Sequence, residues 1–235
     1  VSFQALSDAL EKCGGKYGRR AKIYKAVVCF SKYLHREGLL PESFFHEVKP
    51  LFPKRHKEPK RVTVNEAGLL KLLEHCNKPI ETALLIVLTS TGLRASELCN
   101  LKLSDINLET RVFTAFDRKA GKTTTLGLTA MAVSTLKEYR ESLPTWIDSP
   151  NVFVDEAGKP MSRLAIYNRL KRLGQRAGIA VHPHALRRAF VTINANKGRP
   201  LQMLQIACGH SSIKTTMDYC RTSEQEVIEA MKGWD

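Results

Sequence analysis

The run Cys208-Gly209-His210-Ser211-Ser212-Ile213-Lys214-Thr215-Thr216-Met217-Asp218-Tyr219 lies near the C-terminal end of the chain, and His184-Ala185-Leu186-Arg187 lies upstream of it. Together they supply a phenol, two imidazoles and a guanidinium. Those are the groups that attack a DNA phosphodiester through a tyrosine without a metal. Arg94, placed after a Thr91-Gly92 break, offers a second guanidinium. Two arginines on one phosphate match its non-bridging oxygens in bidentate fashion and stabilise the pentacoordinate state. Tyrosine titrates near about 10, so Tyr219 needs a base or a cationic neighbourhood. His184 and His210 can serve, and by spacing alone so can His182, beside Pro183. Expelling a 5′ oxygen needs a proton donor, and Lys119 and Lys122 both fall in a hairpin turn expected at Asp117 to Lys122. Each group also has a plainer reading: Tyr219 as one of six helical or core tyrosines, the arginines as solvated surface, the lysines as a polar loop tip.

Positioning these groups requires a helical scaffold. Arg94 is expected in the first turn of a helix beginning Leu93-Arg94-Ala95-Ser96-Glu97-Leu98, where backbone N–H groups favour an anion. It follows a helix that starts at Pro79 and is apolar nearly all round from Ala83 to Leu88, the mark of a buried central helix. Thr63-x-x-Glu66 reads as a capping box for a helix carrying Leu69, Leu70, Leu72 and Leu73. The runs 111–116 and 123–128 are β-rich and predict a hairpin. Further helices are expected at 129–141, 162–177, 184–196, 200–207, 212–220 and 223–232. His184 and Arg187, three residues apart, share a helical face.

Residues 20–37 have helical periodicity, with Ile23, Val27, Phe30 and Leu34 on one stripe and basic side chains around the other side. A short apolar helix follows around Phe44 and Val48. Residues 50–61 then combine three prolines and five Lys or Arg with a single acid, the composition of a linker. The expected organisation is a small helical unit at 1–50, a basic linker at 51–61 and a larger unit at 62–235. The fold class is mainly α with a small antiparallel β-hairpin, an α+β arrangement.

Composition limits the partners. Thirty-seven Lys and Arg against 23 Asp and Glu give the 235-residue chain a net charge of +14, which favours a polyanion, nucleic acid first. The duplex contacts expected from the basic clusters are Arg19, Arg20, Lys22, Lys25, Lys54, Arg55, Lys57, Lys60, Arg61 and Lys122. The longest apolar run is too short to span a bilayer, and no signal-peptide pattern stands at the N-terminus. Six scattered cysteines without C-x-x-C spacing argue against zinc and a disulfide scaffold and fit a reducing cytoplasm. Ala120-Gly121-Lys122-Thr123 lacks the spacing of a P-loop, and the acids are not grouped as two-metal ligands. No metal and no cofactor are expected.

In this order the segments resemble the tyrosine recombinase (phage-type integrase) family. Thr91 to Leu98 looks like its first arginine box, His184 to Arg187 like its H-x-x-R box, and Gly209 to Tyr219 like its G-H…Y box, with the same nine-residue step from histidine to tyrosine. The likeness covers roughly 62–222, and 20–60 looks like the end of the family's helical core-binding domain. The resemblance implies that Arg94 and Arg187 clamp the scissile phosphate, that His184 handles the proton, and that His210 hydrogen-bonds the phosphate. It makes Tyr219 the nucleophile of a 3′-phosphotyrosyl bond and Lys119 the general acid, with Lys122 as the second basic residue of that turn. The chain departs from the family at Asp117-Arg118, where glycine is usual before the lysine, at Cys208, where leucine is frequent, and at Arg188, where histidine is common. Its N-terminal domain is shorter than the usual four-helix piece.

What the resemblance implies is a site-specific DNA recombinase that clamps duplex DNA and needs neither metal nor ATP. It would assemble as a homotetramer on DNA and be a monomer or weak oligomer when free. The last helix, around Val227, Ile228 and Met231, would serve either as an inter-subunit hook or as an intramolecular cap. The alternatives are a type IB topoisomerase, which shares the phosphate chemistry, and a catalytically silent DNA-binding relic.

Overall fold

In the computed structural model of the chain the described residues are 8, 12, 17–42, 44, 63–117, 121–217 and 232. The chain divides into two compact units, Val1–Arg61 and Val62–Asp235. The linker expected at 51–61, residues 223–231 of the helix expected at 223–232 and most of the short helix around Phe44 lie outside the described residues. So do Lys119 and Tyr219.

In the first unit, helix α1 spans Tyr17–Arg36. Most of the expected stripe is covered: Ile23, Val27 and Leu34 are half-buried, and Ile23 and Val27 pack against Tyr24 and Phe44. Ala21, Tyr24 and Ser31 are buried, whereas Phe30 is 61% exposed and lies against the exposed Tyr33. At 3.6 residues per turn the most deeply buried positions stand roughly 100° on from the stripe, so the covered face is centred beside it and leaves Phe30 outside. The reason is Phe44, which packs on Tyr24 and draws that face inward. Arg19, Lys22 and Lys25 project from the same helix and are exposed, and Arg20 is partly buried.

The second unit is built around a central helix. Helix α2, Glu66–Glu74, is capped by Asn65, whose side chain accepts from the Gly68 N–H at 2.9 Å. This corrects the expected Thr63 capping box: the cap stands two residues later, and Asn is as good a cap as Thr. Leu72 is buried and Leu70 is 61% exposed, so only part of the leucine run faces the core. Helix α3, Pro79–Thr91, has proline at its start and buries Ala83, Leu84, Leu85, Val87 and Leu88 to within 1% exposure. Each of the leucine and valine side chains contributes about 1.5–3 kcal/mol of transfer free energy. The helix ends at Gly92, with φ +67°, where an added Cβ would stand 2.5 Å from Phe190. Only glycine makes that left-handed turn in that space.

Helix α4, Ala95–Asn100, follows immediately. Strands β1 (Ile106–Asn107), β2 (Val112–Asp117) and β3 (Lys122–Gly127) form an antiparallel sheet in that order. The expected hairpin is present with each strand offset by one residue, and Lys122 starts β3, paired with Asp117, instead of lying in the turn. Strand β1 is too short to leave a periodic signal. Phe113 and Ala115 point inward, and Phe116 outward.

Helices α5 (Ala130–Glu141), α6 (Arg163–Ala177) and α7 (Pro183–Asn196) enclose α3. Thr129 and Ser162 cap the first two through their hydroxyls. The buried carboxylate of Glu81 on α3 takes a 2.6 Å ion pair from Arg176 on α6. Helices α8 (Leu201–Cys208) and α9 (Ile213–Met217) close the described chain. No helix among the described residues is long and apolar enough to cross a membrane.

Candidate active site

The turn at Gly92 delivers Arg94 to the N-cap of α4, with φ −74° and ψ 149°. Arg94 is therefore the residue before the helix, not in its first turn, and its side chain answers to Glu97. The Glu97 carboxylate accepts from the Arg94 backbone N–H at 2.7 Å and from its guanidinium. It is 9% exposed and also lies 3.9 Å from Arg187 Nη1. One carboxylate thus sits between two guanidiniums. The sequence reading missed Glu97, although its place three residues after Arg94 is that of a capping-box acid.

Arg187, on the second turn of α7, is 3% exposed. Its Nη1 donates to the Gly92 carbonyl at 2.6 Å, and its Nη2 donates to the Cys208 carbonyl. Arg94 Nη2 donates to the next carbonyl, Gly209, at 3.1 Å. Both cations therefore hold the C-terminal end of α8, where the carbonyls left over by the helix attract positive charge. Arginine suits this task because its planar group carries five donors, so two can be spent on carbonyls with others remaining.

Docking α8 in this way places His210. Gly209 adopts φ +56° and turns the chain, after which the His210 N–H donates to the Gln205 carbonyl at 3.0 Å. The Gln205 side chain returns a 3.1 Å bond to the His210 carbonyl. The imidazole Nδ1 lies 2.9 Å from Thr216 Oγ1 on α9, and Thr216 is fully buried. Burial, then the charges of Arg187, Arg94 and His184, lower the His210 pKa to about 4. The ring is neutral at physiological pH.

His184 is exposed on the first turn of α7, while Arg187 on the same helix is buried, yet both line one cleft of ≈350 Å³. Arg94, Arg163, Tyr167 and His182 complete it. His182, an alternative base in the sequence reading, is instead the N-cap of α7. Its Nδ1 accepts from the Ala185 N–H at 3.2 Å, and its ring lies between those of Tyr167 and His184. Burial first, then Arg188, lowers its pKa. On the other side of Arg94, a smaller cavity is bounded by Ala115, Thr124 and Leu126 of the sheet and by Cys208 and Gly209. The β2–β3 hairpin therefore borders Arg94.

The structure thus brings Arg94, Arg187, His184 and His210 together from three separate segments, His184 and Arg187 sharing α7. Lys122 opens β3, and Lys119 and Tyr219 are outside the described residues. Arg19, Arg20, Lys22 and Lys25 lie in the other unit, and Lys54, Arg55, Lys57, Lys60 and Arg61 are not described. Among the described residues, no group of three or more His, Cys, Asp or Glu is placed to hold a metal ion.

Comparison with known proteins gives a consistent picture. Residues 61–226 match the phage integrase family. The tyrosine recombinase XerA of Pyrococcus furiosus is 34% identical over 209 residues, which cover 88% of this chain and 71% of that protein. The fold is shared with the Tn1549 transposon integrase, solved in complex with transposon right end DNA, at a TM-score of 0.80 and 17% identity, over 99% of this chain and 85% of that one. It is also shared with the crystal structure of XerA recombinase, at a TM-score of 0.67 and 23% identity, over 89% of this chain and 82% of that one.

Proposed function

This chain belongs to the phage integrase family and is a tyrosine recombinase, a DNA strand transferase, and on that premise we propose how its residues cut and rejoin duplex DNA. The observation that carries the reading is the convergence of Arg94 and Arg187 on the Cys208–Gly209 turn, which sets two guanidiniums beside His184 in one cleft and holds His210 within electrostatic reach of all three.

A scissile phosphate enters that cleft. Tyr219 attacks phosphorus, and His184, exposed at the cleft, takes the phenolic proton. Charge grows on the non-bridging oxygens, where Arg94, Arg187 and an N–H of neutral His210 stabilise it. Such preorganised donors are worth about 10²–10³-fold in kcat each. Lys119 at the tip of the β2–β3 hairpin protonates the departing 5′ oxygen. A 3′-phosphotyrosyl bond forms as the P–O5′ bond breaks, and attack by a 5′ hydroxyl of another strand reverses the step. The phosphodiester energy stays in the tyrosyl link, so the cycle consumes no nucleotide. Lys122, the basic residues of α1 and those at 54–61 hold duplex phosphates, which makes binding salt-sensitive. Exchange between two duplexes calls for a homotetramer assembled on DNA, acting in the DNA-associated cytoplasm.

The test is capture on a pool of nicked duplexes of randomised sequence, in which the nick lets the cleaved fragment escape and leaves the protein covalently attached. Adducts are expected from the parent and not from Tyr219→Phe. A Tyr219→Phe chain that still forms them would remove Tyr219 from the reaction. Relaxation of supercoiled plasmid lacking the selected sites would instead mark a topoisomerase. A parent that binds the pool and never forms an adduct would mark a silent DNA-binding protein.

A further inference from the structure

We propose that Thr216 is a positioning residue for His210: its buried hydroxyl donates to Nδ1 and so fixes the tautomer whose Nε2 carries the proton offered to the scissile phosphate. The inference rests on the function proposed above and deepens it.

Helix α9 is exposed at Ile213, Lys214, Thr215 and Met217, and Thr216 alone within it is buried, at 0% exposure. Burial that packing alone required would favour an apolar side chain at that place. A hydroxyl buried there must be hydrogen-bonded or cost free energy, and it lies 2.9 Å from the imidazole. The backbone of His210 is already fixed on both sides, its N–H on the Gln205 carbonyl and its carbonyl by the Gln205 amide. Those bonds hold the backbone of His210, and Thr216 is a partner of its ring.

The protonation state makes this matter. A neutral imidazole has a single N–H, and the partner of one nitrogen decides which nitrogen holds it. With Arg94, Arg187 and His184 defining where an anion goes, the useful tautomer is the one with its N–H on Nε2. The other tautomer would turn a lone pair toward an anionic oxygen. Thr216 also stands three residues before Tyr219 in sequence. The bond therefore ties the imidazole to the segment that carries the nucleophile.

The experiment uses the full chain on a nicked duplex recovered by adduct capture. Thr216→Val removes the hydroxyl at nearly constant shape, and Thr216→Ser restores it. The expected single-turnover cleavage rate of Thr216→Val is lower by roughly 10–100-fold, with half-saturating DNA changed by no more than about twofold, and Thr216→Ser recovers most of the rate. In parallel, 15N spectra of histidine-labelled parent should give His210 as the Nε2–H tautomer between about pH 5.5 and 8. Cleavage by Thr216→Val at the parent rate, a Thr216→Ser chain as slow as Thr216→Val, or an Nδ1–H tautomer in the parent would each overturn the inference. Should Thr216→Val fail to fold, Thr216→Ser and the parent spectrum still decide it. A parent that forms no adduct overturns the proposed function, while the spectrum still tests the hydrogen bond.

Discussion

Arg94 Nη2 and the Gly209 carbonyl meet at 3.1 Å across 115 residues of sequence, so the first arginine segment physically holds the turn that presents His210. Glu97 holds the arginine in its turn. Glu97→Ala is therefore expected to weaken both ends at once. Breaking a buried pair costs about 3–5 kcal/mol, and the one-third exposure of the Arg94 side chain brings this down to about 2–3 kcal/mol. Urea denaturation checks the loss, and single-turnover cleavage should fall with it. A Glu97→Ala chain with unchanged stability would mean that the two guanidiniums do not depend on this carboxylate.

Arg187 bridges Gly92 and Cys208 with two nitrogens of one planar group. Lysine has a single nitrogen and cannot span both carbonyls while serving a phosphate. Arg187→Lys is expected to lower the cleavage rate by roughly 10²–10³-fold. DNA affinity should fall far less, because phosphates along the whole duplex contribute to it. Rapid-quench cleavage beside a binding isotherm separates the two, and equal losses in both would contradict the assignment.

His210 titrates near 4 in the folded chain against an ordinary 6.5. Between those values the unfolded chain binds the proton and the folded chain does not. Stability is therefore complete above about pH 6.5 and declines as pH falls toward 4. His182, whose pKa is also lowered, acts in the same direction. The urea midpoint should drop between pH 7 and pH 5, and His210→Gln should shrink that drop. An identical drop in both chains would show that His210 is not the group protonated on unfolding.

Much of the site was legible in the sequence because its boxes are local. The Thr91-Gly92 break, Pro183 before His184 and the Cys208-Gly209 turn each punctuate a helix; the first two carry Arg94 and His184 into the cleft, and the third presents His210 beside the arginines. What bridges the boxes was not legible. Thr216 finds His210 only because α9 folds back after Gly209, and the carbonyls of Gly92, Cys208 and Gly209 have no side-chain signature. Phe30 of the α1 stripe is exposed for a related reason: Phe44, outside the helix, decides which positions are covered most deeply. Thr63 has the capping-box spacing to Glu66, while Asn65, immediately before the helix, caps it by accepting from the Gly68 N–H.

The most direct test of the central claim is the identity of the residue that carries DNA after capture. Trypsin cuts after Lys214 and Arg221, and the peptide between them contains Tyr219 and no other tyrosine. Nuclease trimming of the adduct followed by tandem mass spectrometry should find the residual nucleotide phosphate on Tyr219 of the 215–221 peptide, joined through its 3′ side. A nucleotide on any other peptide, or one joined through a 5′ phosphate, would contradict the account.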